Sequence, residues 1–124
     1  SHTVALRSDG RVVCFGNNDY VQCGLPPTPA GVQIERAALF GHTALLYSNG
    51  QIYSTPSGWG STGVVPTLPA GVRFTDLSVG GFYNAALRSD GQISCWGLNS
   101  SGQCNTPALA PGLTYIAVSA QHDH

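Results

Sequence analysis

A repeat of about forty residues recurs along this chain, and it constrains the fold more than any other feature of the sequence. Residues 2–10, His-Thr-Val-Ala-Leu-Arg-Ser-Asp-Gly, return as residues 42–50 and again as residues 83–91, at offsets of 40 and 41 residues. The Pro-Ala-Gly-Val of residues 29–32 likewise returns at residues 69–72. A single unit of this length has little interior of its own, so we expect successive copies to stack and bury a shared core.

Each copy predicts a small antiparallel sheet of three to four short strands. The residues before the histidine position, 34–40 and 74–79, are β-prone and predict a first strand. The His-Thr-x-x-Leu segment predicts a second strand, and the Asp-Gly or Asn-Gly pair after it suits a two-residue hairpin turn. A third strand follows at once, and a proline (Pro26, Pro66 or Pro107) closes the outer edge. These third strands are predicted at residues 11–15, 51–55 and 92–96.

Composition supports an all-β chain and argues against nucleic-acid binding and against a membrane-spanning segment. The 124 residues include 16 Gly and 8 Pro with many Val, Leu, Thr and Tyr, a mixture typical of short strands and tight turns. The net charge is -1 and the five positive charges are all Arg, so no basic cluster is available for a phosphate backbone and no nucleic-acid binding is predicted. No run of about eighteen apolar residues occurs, so we expect no membrane-spanning segment.

The repeat follows the pattern His-Thr-x-x-Leu-x-Ser-Asp-Gly-x-Val-x-x-Trp-Gly-x-Asn-x-x-Gly-Gln, which the third copy, residues 87–103, carries best. This pattern resembles the regulator-of-chromosome-condensation repeat family, and the resemblance covers essentially the whole chain. Members of that family form β-propellers, usually of seven blades. The resemblance therefore implies an all-β fold, an arc of about three antiparallel blades. The family includes guanine-nucleotide exchange factors, ubiquitin-ligase scaffolds, photoreceptors and secreted enzyme inhibitors, so fold alone does not fix function.

The phase of the repeat predicts one repeat domain over residues 1–124 with four parts. These are a partial blade (1–31), two blades (32–71 and 72–112) and the first strand of a further blade (113–124). Residues 113–122 have the phase to complete the blade that residues 2–26 begin, but three blades cannot close a ring within one chain. Either further copies of the chain complete the propeller, or the chain is an arc of something larger, which we favour.

Four cysteines form two pairs with the same spacing. Cys14 and Cys23 lie nine residues apart, as do Cys95 and Cys104, and the second copy has lost both partners together. This joint presence and absence indicates that the two positions of a pair touch. Each pair is either a disulfide that fastens a loop to its blade or, in a reducing compartment, two buried thiols. A zinc site using all four would lack the close Cys-x-x-Cys spacing that such sites favour.

The histidines predict a structural role. His2, His42 and His124 share one repeat position that Tyr83 fills in the third copy, so we expect this side chain to make a hydrogen bond within each blade. The His-Asp-His triplet at residues 122–124 has the residue types of a metal site, but neighbours on a strand point to opposite faces. We therefore predict no metal and no other cofactor.

The sequence offers no catalytic constellation, and we expect no enzyme activity. The Ser-Asp pairs at residues 8–9 and 89–90 belong to repeated hairpin turns, where the aspartate already has a turn role. A nucleophile would need a histidine and a third group to orient it, and a phosphate loop would need a helix after it. Neither arrangement is predicted.

Loops and blade corners remain as candidates for binding. Trp59 lies in the loop Ser-Gly-Trp-Gly-Ser, where it is either an exposed anchor for a partner or a filler for the gap left by Thr55 at the aromatic position of the strand. Further candidates of the same kind are Asp19, Tyr20, Arg36, Arg73 and Phe82.

The corresponding loops, residues 17–20, 57–60 and 98–101, differ in sequence, which favours one composite protein contact over a repeated pocket. We therefore expect a non-catalytic protein-binding or scaffold module, a part of a larger propeller or assembly. Two alternatives stay open. The first is an enzyme inhibitor or guanine-nucleotide exchange factor of propeller type, and the second is a small-molecule or sugar binder between blades.

Overall fold

Three small antiparallel sheets make up the fold. The computed structural model describes residues 2–16, 23–40, 42–55 and 64–120, which contain eight strands and no helix. In chain order the strands are β1 (His2–Leu6), β2 (Val12–Gly16), β3 (Ile34–Leu39), β4 (Thr43–Tyr47), β5 (Ile52–Ser54), β6 (Phe74–Val79), β7 (Tyr83–Arg88) and β8 (Ile93–Gly97). The predicted all-β class is confirmed.

The sheets repeat one topology, of which the described residues of the first copy contain the second and third strands. The second sheet has the order β3-β4-β5 and the third has β6-β7-β8, while the first contains only β1-β2. The central strands β4 and β7 are therefore flanked on both sides, whereas β1 has one partner. The proline-containing segments 24–29, 64–69 and 105–110 are not strands, so each described sheet has at most three strands. The blade boundaries given above stay a prediction.

The Asp-Gly and Asn-Gly turns are three-residue loops, and the predicted two-residue turn is wrong. The N–H of Gly10 donates to the carbonyl of Arg7 at 3.0 Å, and the N–H of Arg7 donates to the carbonyl of Arg11 at 2.7 Å. Residues 7–10 thus form a β-turn, and its last residue, Gly10, takes the left-handed conformation with a φ of 80°. The same pair of hydrogen bonds recurs at Gly50 and at Gly91.

The residue before each of these glycines fixes the loop with its side chain. Oδ1 of Asp9 accepts a hydrogen bond at 3.2 Å from the N–H of the residue two positions later, and Asn49 and Asp90 do the same at 3.1 and 3.2 Å. Such bonds are typical of Asx turns. The aspartates therefore stabilise the turns, as the sequence predicted.

Two apolar clusters lie between neighbouring sheets. Leu46 of β4 belongs to one cluster with Phe74 and Trp96 of the third sheet, and Leu45 of β4 belongs to the other with Val12 of the first sheet. Adjacent residues of one strand thus face opposite neighbours, as strand geometry requires. Leu45 and Leu46 are each only 1% exposed. The middle sheet is therefore buried on both faces, and the sheets are held by stacking.

Residues 113–120 lie where a first strand of the next blade would lie, but they form no strand. The N–H of Tyr115 donates to the carbonyl of Gly91 at 2.8 Å, as the N–H of Phe74 donates to that of Gly50 at 2.9 Å. The N–H of Ala120 donates to Oγ of Ser78 at 2.8 Å. The described part of the chain pairs no strand with this segment. Its assignment as the first strand of a further blade stays a prediction.

Candidate interaction surface

A disulfide closes the loop that follows β8. Cys95 lies on β8 and is bonded to Cys104, with their Cα atoms 5.1 Å apart. In the first copy Cys14 of β2 is bonded to Cys23, with a Cα–Cα distance of 5.4 Å. Of the alternatives open at the level of sequence, the structure has the disulfide in both copies. Each loop is therefore tied back to the strand from which it leaves.

Hydrogen bonds inside the third-copy loop hold its shape. Oδ1 of Asn99 accepts from the N–H of Cys104 at 2.7 Å, and its Nδ2 donates to Oδ1 of Asn105 at 2.8 Å. Oε1 of Gln103 accepts from the N–H of Ser101 at 2.9 Å. The N–H of Gly102 donates to the carbonyl of Asn99 at 3.1 Å. The Asn, Gly and Gln of the repeat pattern are thus loop-forming residues and leave the tip free to vary.

The tip of this loop is exposed. Ser100 and Ser101 are exposed, as is Leu98, and the loop starts beside Phe82 because the N–H of Leu98 donates to its carbonyl at 2.9 Å. In the repeat alignment, Ser100 and Ser101 correspond to Asp19 and Tyr20 of the first copy. Asp19 and Tyr20 themselves lie outside the described residues, and so does Trp59.

The histidines of the repeat join neighbouring blades, which corrects the prediction of a hydrogen bond within each blade. Nε2 of His2 lies 2.9 Å from Oγ1 of Thr43, and Nε2 of His42 lies 2.9 Å from Oδ1 of Asn84. Each partner is on the second strand of the next sheet. Burial lowers the pKa of both imidazoles, which favours their neutral forms. These side chains therefore hold the stack together and do not form a surface site.

Arg36 makes a second connection between blades. Its Nε lies 2.8 Å from Oδ1 of Asp76, so the ion pair joins β3 to β6. Just over half of the Arg36 side chain stays exposed, so the pair is screened by solvent. Arg36 and Asp76 occupy the same position in successive repeats, and this is the signal that could have revealed the pair. The charge of Arg36 is thus partly neutralised by a residue of the fold.

Arg73 and Phe82 lie at opposite ends of one strand and cannot form a single patch. Arg73 precedes β6 (Phe74–Val79) and Phe82 follows it, and six extended residues span about 20 Å. Arg73 is exposed at the hairpin end, where its N–H donates to Oγ of Ser89 at 3.0 Å. Phe82 is half-buried at the other end, beside the disulfide-closed loop. Phe82 is therefore the described candidate that the structure places next to the start of a disulfide-closed loop.

Two equivalent grooves lie between the proline segments and the sheets. Each has a volume of about 420 Å³. Val12, Leu25 and Ile34 line the first groove, and the corresponding residues Ile52, Val65 and Phe74 line the second. Arg73 lies at the rim of the second groove. Unlike the loops, these grooves present similar residues at similar positions.

The described residues contain neither a cluster of metal-ligating side chains nor a membrane-spanning helix. Within residues 2–16, 23–40, 42–55 and 64–120, no three His, Cys, Asp or Glu side chains are grouped as metal ligands. The triplet at residues 122–124 lies outside those ranges. The same ranges contain no helix long and apolar enough to cross a membrane.

The sequence matches a known repeat in two places. Residues 1–22 and 74–103 match the family described as the regulator of chromosome condensation (RCC1) repeat. These segments belong to the first and third copies, which carry the cysteine pairs. The resemblance inferred from the repeat pattern is confirmed there.

Solved structures share the fold with this chain. Human WBSCR16 superposes with a TM-score of 0.71 at 19% identity, over 98% of this chain and 40% of that one. The CRINKLY WD40 ectodomain of the Arabidopsis thaliana receptor kinase ACR4 gives 0.59 at 25% identity, over 79% of this chain and 38% of that one. The entire ectodomain of the Physcomitrella patens receptor kinase CR4 gives 0.65 at 21% identity, over 96% and 34%.

These matches settle the architecture. The chain spans 34 to 40% of the length of the solved chains that it resembles. The predicted fold, an arc of a β-propeller with about three antiparallel blades, is confirmed.

Proposed function

We propose that this chain, which matches the regulator of chromosome condensation (RCC1) repeat over residues 1–22 and 74–103 and folds as an arc of a β-propeller, is a non-catalytic protein-binding or scaffold segment of a larger propeller or assembly. One observation carries the proposal. The loop after β8 has a frame built from residues of the repeat pattern, namely the disulfide, Asn99 and Gln103, around a tip that takes no part in the pattern. A fixed frame with a variable tip suits recognition of another protein, because the tip is ordered before binding.

By sequence, the first copy offers the better contact residues. It keeps the cysteine pair and has Asp19 and Tyr20 where the third copy has two serines. Tyrosine is enriched in the residues that dominate binding energy at interfaces, whereas serine is under-represented there. We propose that Asp19 and Tyr20 contact the partner, with Trp59 of the second copy and Phe82 of the third as further contacts.

Exchanging the tip residues tests this function. The variant Asp19→Ser with Tyr20→Ser gives the first loop the tip of the third, and Ser100→Ala with Ser101→Ala is the matched control. The immobilised 124-residue chain captures partners from a lysate, and quantitative mass spectrometry compares the variants. We expect a protein that is recovered with the wild type and the control to fall at least about tenfold with the exchanged tip. Equal recovery with both variants would contradict the assignment of these residues.

Trp59 is tested separately because it belongs to the copy without a disulfide. Trp59→Ala should lower recovery of the same partner if the indole is an anchor, since such anchors each contribute about 2 kcal/mol or more. The free energy of unfolding, measured in urea on the same variant, separates this role from packing. Loss of stability with unchanged recovery would assign Trp59 to the gap beside Thr55 instead.

A second candidate function, small-molecule binding, is favoured by the two equivalent grooves. Thr67 lines the second groove and Pro27 takes its place in the first, and both are exposed. Thr67→Trp would fill one groove and leave the other open. In a fragment screen by ligand-observed NMR, ligands that bind the wild type should lose about half of their occupancy in this variant, because each groove holds one ligand. A screen without hits, or one insensitive to Thr67→Trp, would remove this candidate.

A further inference from the structure

A polar pocket lies at the junction of the second and third sheets. It has a volume of about 430 Å³, and Glu35, Ser48, Arg73 and Thr75 supply its polar side chains. Glu35 lies on β3 and Ser48 follows β4, whereas Arg73 precedes β6 and Thr75 lies on it. The pocket therefore brings a carboxylate of one sheet and a guanidinium of the next to one place.

The stem of Arg73 has its path set by the surrounding turns. The N–H of Arg73 donates to Oγ of Ser89 at 3.0 Å, and its carbonyl accepts from the N–H of Ser89 at 2.8 Å. Its side chain crosses Gly50 so closely that a Cβ added to Gly50 would lie 2.3 Å from Cβ of Arg73 and 3.1 Å from its Cγ and Cδ. Glycine thus leaves the room that the stem needs. The guanidinium therefore ends a stem that is packed against the turn of the second sheet.

Glu35 is aimed by an irregularity in β3. The register of β3 against β4 shifts between Ile34 and Arg36. Glu35 is thus the extra residue of a β-bulge, and such bulges re-aim a side chain relative to the regular alternation of a strand. Arg36 pairs with Asp76, whereas Glu35 is exposed and lines the pocket. The bulge therefore leaves the carboxylate of Glu35 to the pocket.

Neither charged group of the pocket has an ion-pair partner in the described part of the chain. Arg7, Arg36 and Arg88 each pair with an aspartate. Glu35 and Arg73 form no such pair, either with each other or with another described residue. The pocket thus presents one free positive and one free negative group, and a ligand that carries both charges can pair with both at once.

The repeat fold does not require these two charges. Gln33 stands at the repeat position of Arg73 and makes the same two backbone hydrogen bonds to the turn of its own sheet, at 2.9 and 2.7 Å. Thr75 stands at the repeat position of Glu35. Neutral residues therefore support the same backbone, and the charges of Arg73 and Glu35 are available for another role.

The pocket adjoins the second groove. Gly50, Arg73 and Phe74 line both the pocket and the groove. Beyond these residues the groove offers apolar side chains, among them Ile52 and Val65. A ligand held between the two charges can therefore place an apolar group in the groove.

We propose that this pocket binds a free α-amino acid with an apolar side chain. The guanidinium of Arg73 donates two parallel hydrogen bonds to the α-carboxylate, which is the geometry that arginine offers to such groups. The carboxylate of Glu35 accepts from the α-ammonium, and the side chain of the ligand lies in the second groove. A free amino acid carries both charges on one carbon, whereas a residue inside a peptide chain carries neither.

Titration of the isotope-labelled 124-residue chain with L-leucine, followed by amide chemical shifts, tests the proposal. We expect the amides of Gly50, Phe74 and Thr75 to shift, with a dissociation constant of about 1 mM or lower. N-acetyl-L-leucine amide keeps the side chain and lacks both charges, so it should bind at least about tenfold more weakly. The amides of Val12 and Leu25 in the first groove should not move.

Two variants copy residues that another repeat carries at the same position, so they disturb the fold little. Arg73→Gln takes the residue of the second repeat, and Glu35→Thr takes that of the third. Each should weaken leucine binding at least about tenfold, because one charge of the ligand loses its partner. Arg11→Gln is the matched control with unchanged binding, since it removes an unpaired arginine beside the first groove and copies Gln51 and Gln92.

Four results would overturn the proposal. The first is the absence of shifts with L-leucine up to about 10 mM, and the second is equal binding of the capped compound. The third is wild-type affinity in Arg73→Gln or Glu35→Thr, or a loss of affinity in Arg11→Gln. The fourth is an equal response of Val12 and Leu25, which would assign the binding to the grooves alone.

This inference goes beyond the proposed protein-binding function and does not rest on it. Partner capture depends on the loop tip at Asp19 and Tyr20, whereas leucine binding depends on Glu35 and Arg73. Arg73→Gln that loses leucine and still captures the partner would support both. A chain that captures its partner and binds no leucine would keep the protein-binding function and remove the amino-acid site.

Discussion

Nε2 of His42 lies 2.9 Å from Oδ1 of Asn84, and this contact joins the second blade to the third. Both residues are fully buried. His2 and Thr43 make the same connection one repeat earlier, at the same distance. The histidines of the first two repeats therefore each reach the following blade, and the two contacts form a series through the stack.

Removing either member of the His42–Asn84 pair should destabilise the chain. His42→Ala and Asn84→Ala each leave a buried polar partner without its hydrogen bond, which costs about 1–3 kcal/mol, in addition to the loss of packing. Urea denaturation of the single variants and of the double variant gives the coupling energy between the two residues. We expect a coupling of at least about 0.5 kcal/mol, and additive losses would show that the contact does not join the blades.

Stability should fall on acidification, because burial lowers the pKa of both His42 and His2 in the folded chain. Above pH 6.5, the ordinary pKa, both histidines are neutral in the folded and in the unfolded chain, and the stability that their neutral forms allow is fully present. This stability is lost as the pH falls from 6.5 toward the lowered pKa of the folded chain. His42→Tyr copies the third repeat and removes one of the two groups. We expect the difference in unfolding free energy between about pH 7.5 and about pH 5.5 to shrink in this variant. An unchanged difference would count against His42 as the source.

The repeat made most of the strand positions predictable, and the turns show where the prediction fails. The third-sheet strand predicted at residues 74–79 is β6 itself. The turn type was wrong because an Asp-Gly pair serves both two-residue turns and three-residue turns with glycine last. The histidine hydrogen bond was predicted within a single blade because the repeat shows the position of the residue on its strand but not the direction in which its side chain points. Stacked sheets lie about 10 Å apart, close enough for facing side chains to bridge them.

Two glycines at one repeat position should tolerate alanine to different degrees. Gly10 and Gly50 have φ angles of 80° and 79°, so Gly10→Ala and Gly50→Ala share a backbone strain of about 1–2 kcal/mol. A Cβ on Gly50 would lie 2.3 Å from Cβ of Arg73, whereas one on Gly10 would lie 3.6 Å from Gln33. We expect Gly50→Ala to cost at least about 1 kcal/mol more in urea denaturation. Equal losses would contradict the close approach of β6 to this turn.

The disulfide after β8 should stabilise the third blade. Replacing both cysteines, as Cys95→Ser with Cys104→Ser, should lower the free energy of unfolding by about 2–3 kcal/mol, as expected for a loop that closes over nine residues. The double change Cys14→Ser with Cys23→Ser is the matched comparison in the first blade. A free-thiol count on the wild type should give none for these four cysteines. Four reactive thiols would show that the pairs are reduced.

The sequence predicted the pairing partners of the cysteines better than it predicted the surface. Joint loss from the second copy pointed to contact within each pair, because both pairs have the same spacing. The ion pair of Arg36 was missed, although Asp76 stands at the same repeat position and stacking brings such residues together. Arg73 and Phe82 were grouped as blade corners, but they lie at the two ends of β6, since sequence proximity across an extended strand does not bring side chains together.

The blades are stable because they stack on one another, and nuclear Overhauser contacts between blades test this most directly. We expect contacts between the His42 ring and Asn84, and between the Leu46 methyl groups and the Phe74 ring, in a spectrum of the wild-type chain. These contacts should disappear together with those inside the sheets as urea is added. A spectrum with contacts only inside the hairpins, and none between sheets, would contradict the account.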